Sequence, residues 1–313
     1  MHTRRPLIIV LLVFIALLLP LPASAWNGAG HRLSALIAWQ QLDESTRQQV
    51  SRLLAHHPDH ERWTARSKSM PPELAAFVEA STWPDDIKGD KRFYDADSDV
   101  VTKLLPGFPD MARHRHWHYI DRPLGNPPKL HHTKGELDRR LDVLITTVGD
   151  DRLSDQQRAY ALPWLIHLVA DAHQPLHTVS RYDATGRADE GGNLLTVKTP
   201  FHPRLSSMNL HTYWDDLPGP PWLRGKRLEK NAARLIEDYP PPAQGDVRLW
   251  RDESHRLLAE AYPTSNGSLL PIISEDFRQR SRDIAECRIV EAGYRLGSLL
   301  DDIFTLRVSR ETP

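Results

Sequence analysis

A chain of 313 residues with 40% hydrophobic and 26% charged side chains is long enough for one large domain, and too apolar to be disordered or fibrous. Its net charge of −1 excludes the basic excess usual in nucleic-acid binders, so a positive field for a polyanion must come from something other than Lys and Arg. A single cysteine, Cys287, excludes an internal disulfide, whereas sixteen histidines, several near Asp at short spacings, hint at metal chemistry.

The chain opens with Arg4 and Arg5, an apolar run from Leu7 to Leu19, Pro20-Leu21-Pro22 and Ala23-Ser24-Ala25. This is the order of a secretory signal peptide. The run is shorter than the about 20 apolar residues of a spanning helix. Cleavage after Ala25 is therefore expected, leaving residues 26–313 as the mature domain. It would begin at Trp26, and loss of Arg4 and Arg5 would take its charge from −1 to −3. A periplasmic or secreted protein follows, monomeric and without stable membrane association once the leader is gone.

Most of the mature chain reads as helix. Leu33, Leu36 and Ile37, then Val50, Leu53 and Leu54, recur at helical spacing, with Asp43 and Ser45 as caps of the second helix. Pro72 to Ala80 predicts a short helix leading to Trp83. Leu137, Leu141, Leu144 and Ile145 mark an amphipathic helix over Gly135 to Val148. Ser154 to Ala172 is the most apolar helix after the leader; Pro163 should bend it or lie near its first turns, and Pro175 should end it. Asp183 to Asn209, rich in Gly and Pro around Leu194-Leu195-Thr196-Val197, reads as an irregular loop with a short hairpin. Lys230 to Glu237, Arg248 to Ala261 and Glu275 to Leu300 read as C-terminal helices, with the last ten or so residues frayed. Cys287, in the last of these, reads as buried and inert. One all-α domain with a short β-hairpin or loop insertion is the expected fold.

The chemistry is carried by His and Asp. His167 and Asp171 are four residues apart and share a helix face. In an apolar stretch an unpaired Asp is costly; either a metal or a buried His–Asp hydrogen bond would satisfy it. His177 follows the helix end, and His211 and Asp215 repeat the spacing, so His177, His211 and Asp215 make a three-ligand zinc site with an open position. Asp85, His118 and His31 offer further ligands. The α-amine of a mature Trp26 has an ordinary pKa near about 8, so a metal displaces its proton at little cost.

Six segments then point to one family. Trp26-Asn27-Gly28-Ala29-Gly30-His31, Trp83 to Lys88, His118-Tyr119-Ile120-Asp121, Leu165 to His177, Gly191-Gly192-Asn193 and Asn209 to Asp215 stand in the order of the zinc-dependent S-one/P-one nucleases. The chain resembles these exported, mainly helical enzymes from Trp26 to about Leu300, and through them the wider phospholipase C/nuclease group. The resemblance implies three zinc ions. Asp85, His118, His167 and Asp171 would hold one; the Trp26 amine and carbonyl, His31 and Asp171 a second; His177, His211 and Asp215 a third. Asp85 and Asp171 would carry the catalytic metal pair, and Lys88 would stabilise charge at the phosphate. Asn193 would line the cleft, Tyr119 would stack on a base and Asp121 would bind a base edge; for Tyr119, packing beside His118 is the plainer reading. Two close metals can activate a water for in-line attack on phosphorus. Expected substrates are single-stranded RNA and DNA, and nucleotides through a 3′-nucleotidase activity, with 5′-phosphates on the cleaved strands. The metals would also answer the charge deficit.

Asn27 and Pro84 depart from the family's commoner Gly and Ala, and the disulfides of eukaryotic members cannot form. Asn266-Gly267-Ser268 is a glycosylation sequon. The other histidines, His56, His57, His60, His114, His116, His131, His132, His202 and His255, read as surface or supporting residues, with His173 unassigned. A zinc-dependent phospholipase C is the nearest rival; it carries Glu where Asp215 stands and lacks the His-Tyr-Ile-Asp context. A non-catalytic zinc protein would favour closed, Cys-rich sites. No G-x-S-x-G motif supports a serine hydrolase.

Overall fold

A computed structural model of the chain describes residues 26–96, 100–123, 134–264 and 270–311, with side chains to residue 305. The expected leader (residues 1–25), His131, His132 and the sequon at Asn266 lie outside the described residues. The described part is mainly helical: twelve α-helices, short 3-10 turns and one two-stranded sheet. No described helix is long and apolar enough to cross a membrane.

The centre of the fold is the helix Asp155–Ala172, here α7, buried from Arg158 to its end. A helix apolar on every face must be surrounded, and α7 touches α1 (Gly28–Gln41), α2 (Glu44–Leu54), α4 (Pro72–Ala80), α5 (Trp83–Asp86), α6 (Leu137–Gly149), α10 (Val247–Arg256) and α12 (Glu275–Glu311). Ser154 starts α7 with a full capping box: its Oγ accepts from Gln157 N, and Gln157 Oε1 accepts from Ser154 N. Ser154→Ala should therefore cost about 1 kcal/mol in urea unfolding; no loss would show that packing alone sets this helix start. Pro163 lies midway, and the helix runs through it; burial on all sides holds the turn that Pro leaves one hydrogen bond short.

The longest packed seam joins α1 to α12. Gly293 makes it possible: a Cβ there would lie 2.6 Å from Ile37 Cβ and 2.9 Å from Ser34 O. α12 runs past the predicted end at Leu300 to Glu311; no Gly or Pro interrupts 301–311, and Ile303 and Phe304 are buried. The short helix α3 (His60–Arg66) has no counterpart among the predicted elements, and the predicted helix Arg248 to Ala261 is two, α10 and α11 (Leu258–Ala261), broken at Leu257, which leaves the helical region (φ −77°, ψ 3°). α9 (Gly225–Asp238) begins before Lys230. Asp43 does precede α2, but its side chain makes no cap hydrogen bond, and Ser45 lies inside the first turn.

The predicted hairpin is present. β1 (Thr196–Lys198) pairs antiparallel with β2 (Ser207–Asn209), with Val197 opposite Met208. β2 leads straight into α8 (Leu210–Asp215), whose first turn is capped by Asn209 Oδ1 on Thr212 N (2.7 Å).

Candidate metal centre

Six elements converge on one buried cluster. α1 delivers His31, and α5 delivers Asp85. A 3-10 turn at Arg115–His118 delivers His118, and α7 delivers His167 and Asp171. A second 3-10 turn, Pro175–His177, delivers His177, and α8 delivers His211 and Asp215. Three sets of ligand atoms lie within 4.8 Å of one another: His31, Asp85 and His167; His118, His167 and Asp171; His177, His211 and Asp215. Asp171 is central. Its Oδ2 is 3.1 Å from His118 Nδ1 and 3.3 Å from His167 Nε2, and its Oδ1 is 3.5 Å from His31 Nε2. Asp85 Oδ1 lies 3.9 Å from His118 and 3.7 Å from His167, and its Oδ2 3.8 Å from His31.

The residues fit metal ions on a test of tautomers. His177 Nδ1 donates to His118 O (2.6 Å) and His211 Nδ1 donates to Gly191 O (2.8 Å). A carbonyl only accepts, so both protons sit on Nδ1 and both Nε2 atoms present lone pairs. These two lone pairs face each other at 3.1 Å. That contact is repulsive unless a proton or a metal ion stands between them, and burial disfavours the proton on His177. His167 Nδ1 is likewise spent on Ser81 O (2.7 Å), turning its Nε2 toward Asp171 and His118. Far-side hydrogen bonds of this kind orient metal-ligating histidines. Buried His31 Nδ1 and Nε2, His118 Nε2 and Asp171 Oδ1 have no hydrogen-bond partner among the described residues.

Electrostatics agree. Burial holds His31, His118 and His177 well below the usual histidine range, so they are neutral and able to ligate a metal. Burial pushes Asp171 up to about 6 and Asp215 well above the usual carboxylate range. Burial also pulls His167 down, but Asp171 and Asp85 beside it outweigh that and raise it. Without metal the His167–Asp171 pair therefore holds on to a proton; the cluster lacks positive charge.

The remaining predicted residues are placed as follows. Trp26 is fully buried and its indole donates to Ala170 O (3.1 Å), one residue before Asp171. Lys88 donates from Nζ to Asp85 Oδ1 (2.6 Å). Tyr119 is half-buried and its hydroxyl meets His116 Nδ1 (2.8 Å). Asp121 is buried; Oδ1 accepts from Ser180 Oγ (2.5 Å) and Oδ2 has no partner among the described residues. Asn193 donates from Nδ2 to Glu190 O (2.8 Å), so its amide shapes the loop beside Gly191 and makes no described contact with the cluster. Cys287 is half-buried and burial pushes its thiol up to about 11, which leaves it protonated.

Sequence reading misses Gln174. It is fully buried, takes Leu176 N on Oε1 (2.5 Å) and donates from Nε2 to Asp215 Oδ1 (2.9 Å), which leaves Oδ2 toward His211. A buried amide inside a ligand-bearing segment is the signal that was available. Gln174→Ala should weaken metal binding at this position by about tenfold or more, measured by chelator competition, in line with other outer contacts to ligands. His57 is a correction: it is a buried core residue, ringed by Trp63, Trp83 and Phe108. His173 also is structural; Nδ1 donates to Val169 O and Nε2 accepts from Arg295.

A sequence model of the S1/P1 nuclease family matches residues 26–305. The chain is 25% identical over 325 residues to Endonuclease 4 of Arabidopsis thaliana, covering 90% of each. It is 26% identical over 269 residues to Endonuclease 1 of the same plant, covering 74% of this chain and 80% of the relative.

Proposed function

The chain belongs to the S1/P1 nuclease family and hydrolyses phosphodiester bonds, and from that premise we propose that it is an exported, three-zinc enzyme for single-stranded RNA and DNA. The observation that carries the metal reading is the pair of His177 and His211 lone pairs meeting at 3.1 Å. Burial keeps His177 from taking a proton to bridge them, so a metal ion is the partner we assign, and N and O donors in such a set suit zinc.

His31, Asp85, His118, His167 and Asp171 would hold two ions, with the Trp26 amine and carbonyl completing the second, and His177, His211 and Asp215 would hold the third. When bound, the ions supply Lewis-acid charge and an activated water. The protein's own groups do the rest. Asp171 faces His31 with one oxygen and His118 and His167 with the other, so one carboxylate would help hold both ions. Lys88, tethered to Asp85, adds a cation beside it for the phosphate. Tyr119 offers a ring face to a splayed base and Asp121 an unpaired acceptor to its edge. A buried cluster is reached by a flexible strand more readily than by a stacked duplex, which accounts for single-strand preference. Cleaved strands would carry 5′-phosphates, and 3′-nucleotides would be substrates of the same centre. The leader directs the chain to the periplasm or the medium, where it acts as a monomer.

The test is to incubate the mature form, beginning at Trp26 without a tag, with single-stranded and duplex RNA and DNA, and to determine the product ends. Zinc-dependent release of 5′-phosphorylated fragments from single strands is expected. A protein that binds three zinc ions yet cleaves no strand would sink the substrate claim, and phospholipids would be tried next.

A further inference from the structure

The structure assigns base selection to Lys134 and Glu190, which we propose favour guanine beside the scissile phosphate. This rests on the nuclease reading above. Lys134 is held at the site by its backbone: its carbonyl accepts from Asp121 N (2.8 Å), and the neighbouring Gly135 pairs with Ile120. Glu190 is held from the other side. It precedes Gly191, whose carbonyl accepts from His211 and whose N–H donates to Ser180 Oγ (2.7 Å), and Ser180 in turn holds Asp121. The two side chains reach across this gap, with Nζ 3.6 Å from Oε1. Both lie close enough to Asp121 to act on its charge.

Two features mark the pair as more than structural. Lys134 and Glu190 are 63% and 49% exposed, and an ion pair so exposed adds little stability. Glu190 also stands in the left-handed region (φ 54°), at the head of Gly191 (φ 60°) and Gly192 (φ 81°). Glycine would adopt that conformation at no steric cost, and strain of this kind collects where function requires a side chain.

The pair presents one cationic donor beside a two-oxygen acceptor. Guanine is the base whose Watson–Crick edge shows two adjacent N–H donors next to a carbonyl. Its N1–H and amino group would donate to the Glu190 carboxylate while O6 accepts from Lys134 Nζ. Adenine and cytosine set a ring lone pair against the carboxylate, and uracil offers a single N–H. Two-point contacts of this sort discriminate bases by roughly tenfold or more.

Cleavage of GpG, ApA, CpC and UpU by the mature, zinc-loaded protein tests this. GpG should lead in kcat/KM by about tenfold, mainly through KM. Glu190→Gln, which keeps size but loses the second acceptor, should lower GpG to the level of the other three, and Lys134→Ala should reduce its lead. Glu190→Gly should also flatten the profile while holding or raising the melting temperature, since it releases the left-handed strain. Equal rates for all four dinucleotides, or a GpG lead that survives Glu190→Gln, overturns the proposal and leaves the nuclease reading intact. Calorimetry with guanosine and adenosine 5′-monophosphates separates the two readings further. Guanosine selectivity that depends on Glu190 in a protein that cleaves nothing would uphold the pocket and overturn the nuclease; no selectivity in such a protein overturns both.

Discussion

Stripping metal from the mature protein is expected to abolish strand cleavage and to lower the melting temperature by roughly 8–16 °C, with zinc restoring both. One site filled at a thousandfold excess over Kd contributes about 4 kcal/mol, and each kcal/mol moves the midpoint by about 2–4 °C in domains of a few hundred residues. The pH dependence has a definite sign. Asp171, raised by burial to about 6, contributes most to the metal-free fold below its ordinary 3.8 and loses that contribution as pH rises through about 6. Asp215 shifts in the same direction. His31, His118 and His177 are depressed, so their contribution is present above 6.5 and lost as pH falls. The metal-free cluster is therefore unfavourable at both ends of this range. Metal competes with the proton on Asp171, so the melting-temperature gap between loaded and chelated protein should widen as pH rises through about 6. Calorimetry from about pH 5 to about pH 7.5 measures it, and an absent or narrowing gap would remove the cations from this account.

Much of the site was legible in the sequence because metal ligands obey local rules. His167 and Asp171, and His211 and Asp215, are four apart on helices, and α7 and α8 do place each pair on one inward face. His118 and His31 had no such local pattern; they offered ligand chemistry, and the family order gave them a place in the set, while the folding of α1 and of the 3-10 turn Arg115–His118 against α7 supplies the distance. Residues that act by supporting others left weaker marks. Gln174 reads as an ordinary amide until Asp215, forty-one residues on, is seen to need its hydrogen bond. His57 looked like a surface residue in a polar run, His56 to His60, yet its ring is enclosed by aromatic side chains that only the tertiary fold collects. Helix existence followed from apolar period. Helix length did not at α12, whose end depends on Ile303 and Phe304 finding the core.

Adding a single residue before Trp26 should be nearly as damaging as removing the metal. This end of the described chain is firmly held. The Trp26 ring is fully buried with its indole on Ala170 O. Asn27 donates its backbone N–H to Asp215 O (3.1 Å) and its amide to Asp216 Oδ1 (3.0 Å) and Gly219 O (2.8 Å), while its Oδ1 caps Ala29 N (2.8 Å). So the departure of Asn27 from the family's Gly strengthens the anchor, and it ties this segment to the helix that carries Asp215. An extra residue would not dislodge such an anchor; it would change only the chemistry of the nitrogen. A free amine has a lone pair for a metal, whereas an amide has none. A retained Met before Trp26 should therefore cost about a hundredfold or more in activity, comparable to other losses of electrostatic stabilisation at a reacting centre. Bound zinc should fall from three ions to two, and the metal-free melting temperature should be unchanged. Elemental analysis beside kinetics of the two forms decides the matter. Three ions bound equally by both would free Trp26 of any ligand role and leave His31 and Asp171 as the side chains that hold the second ion.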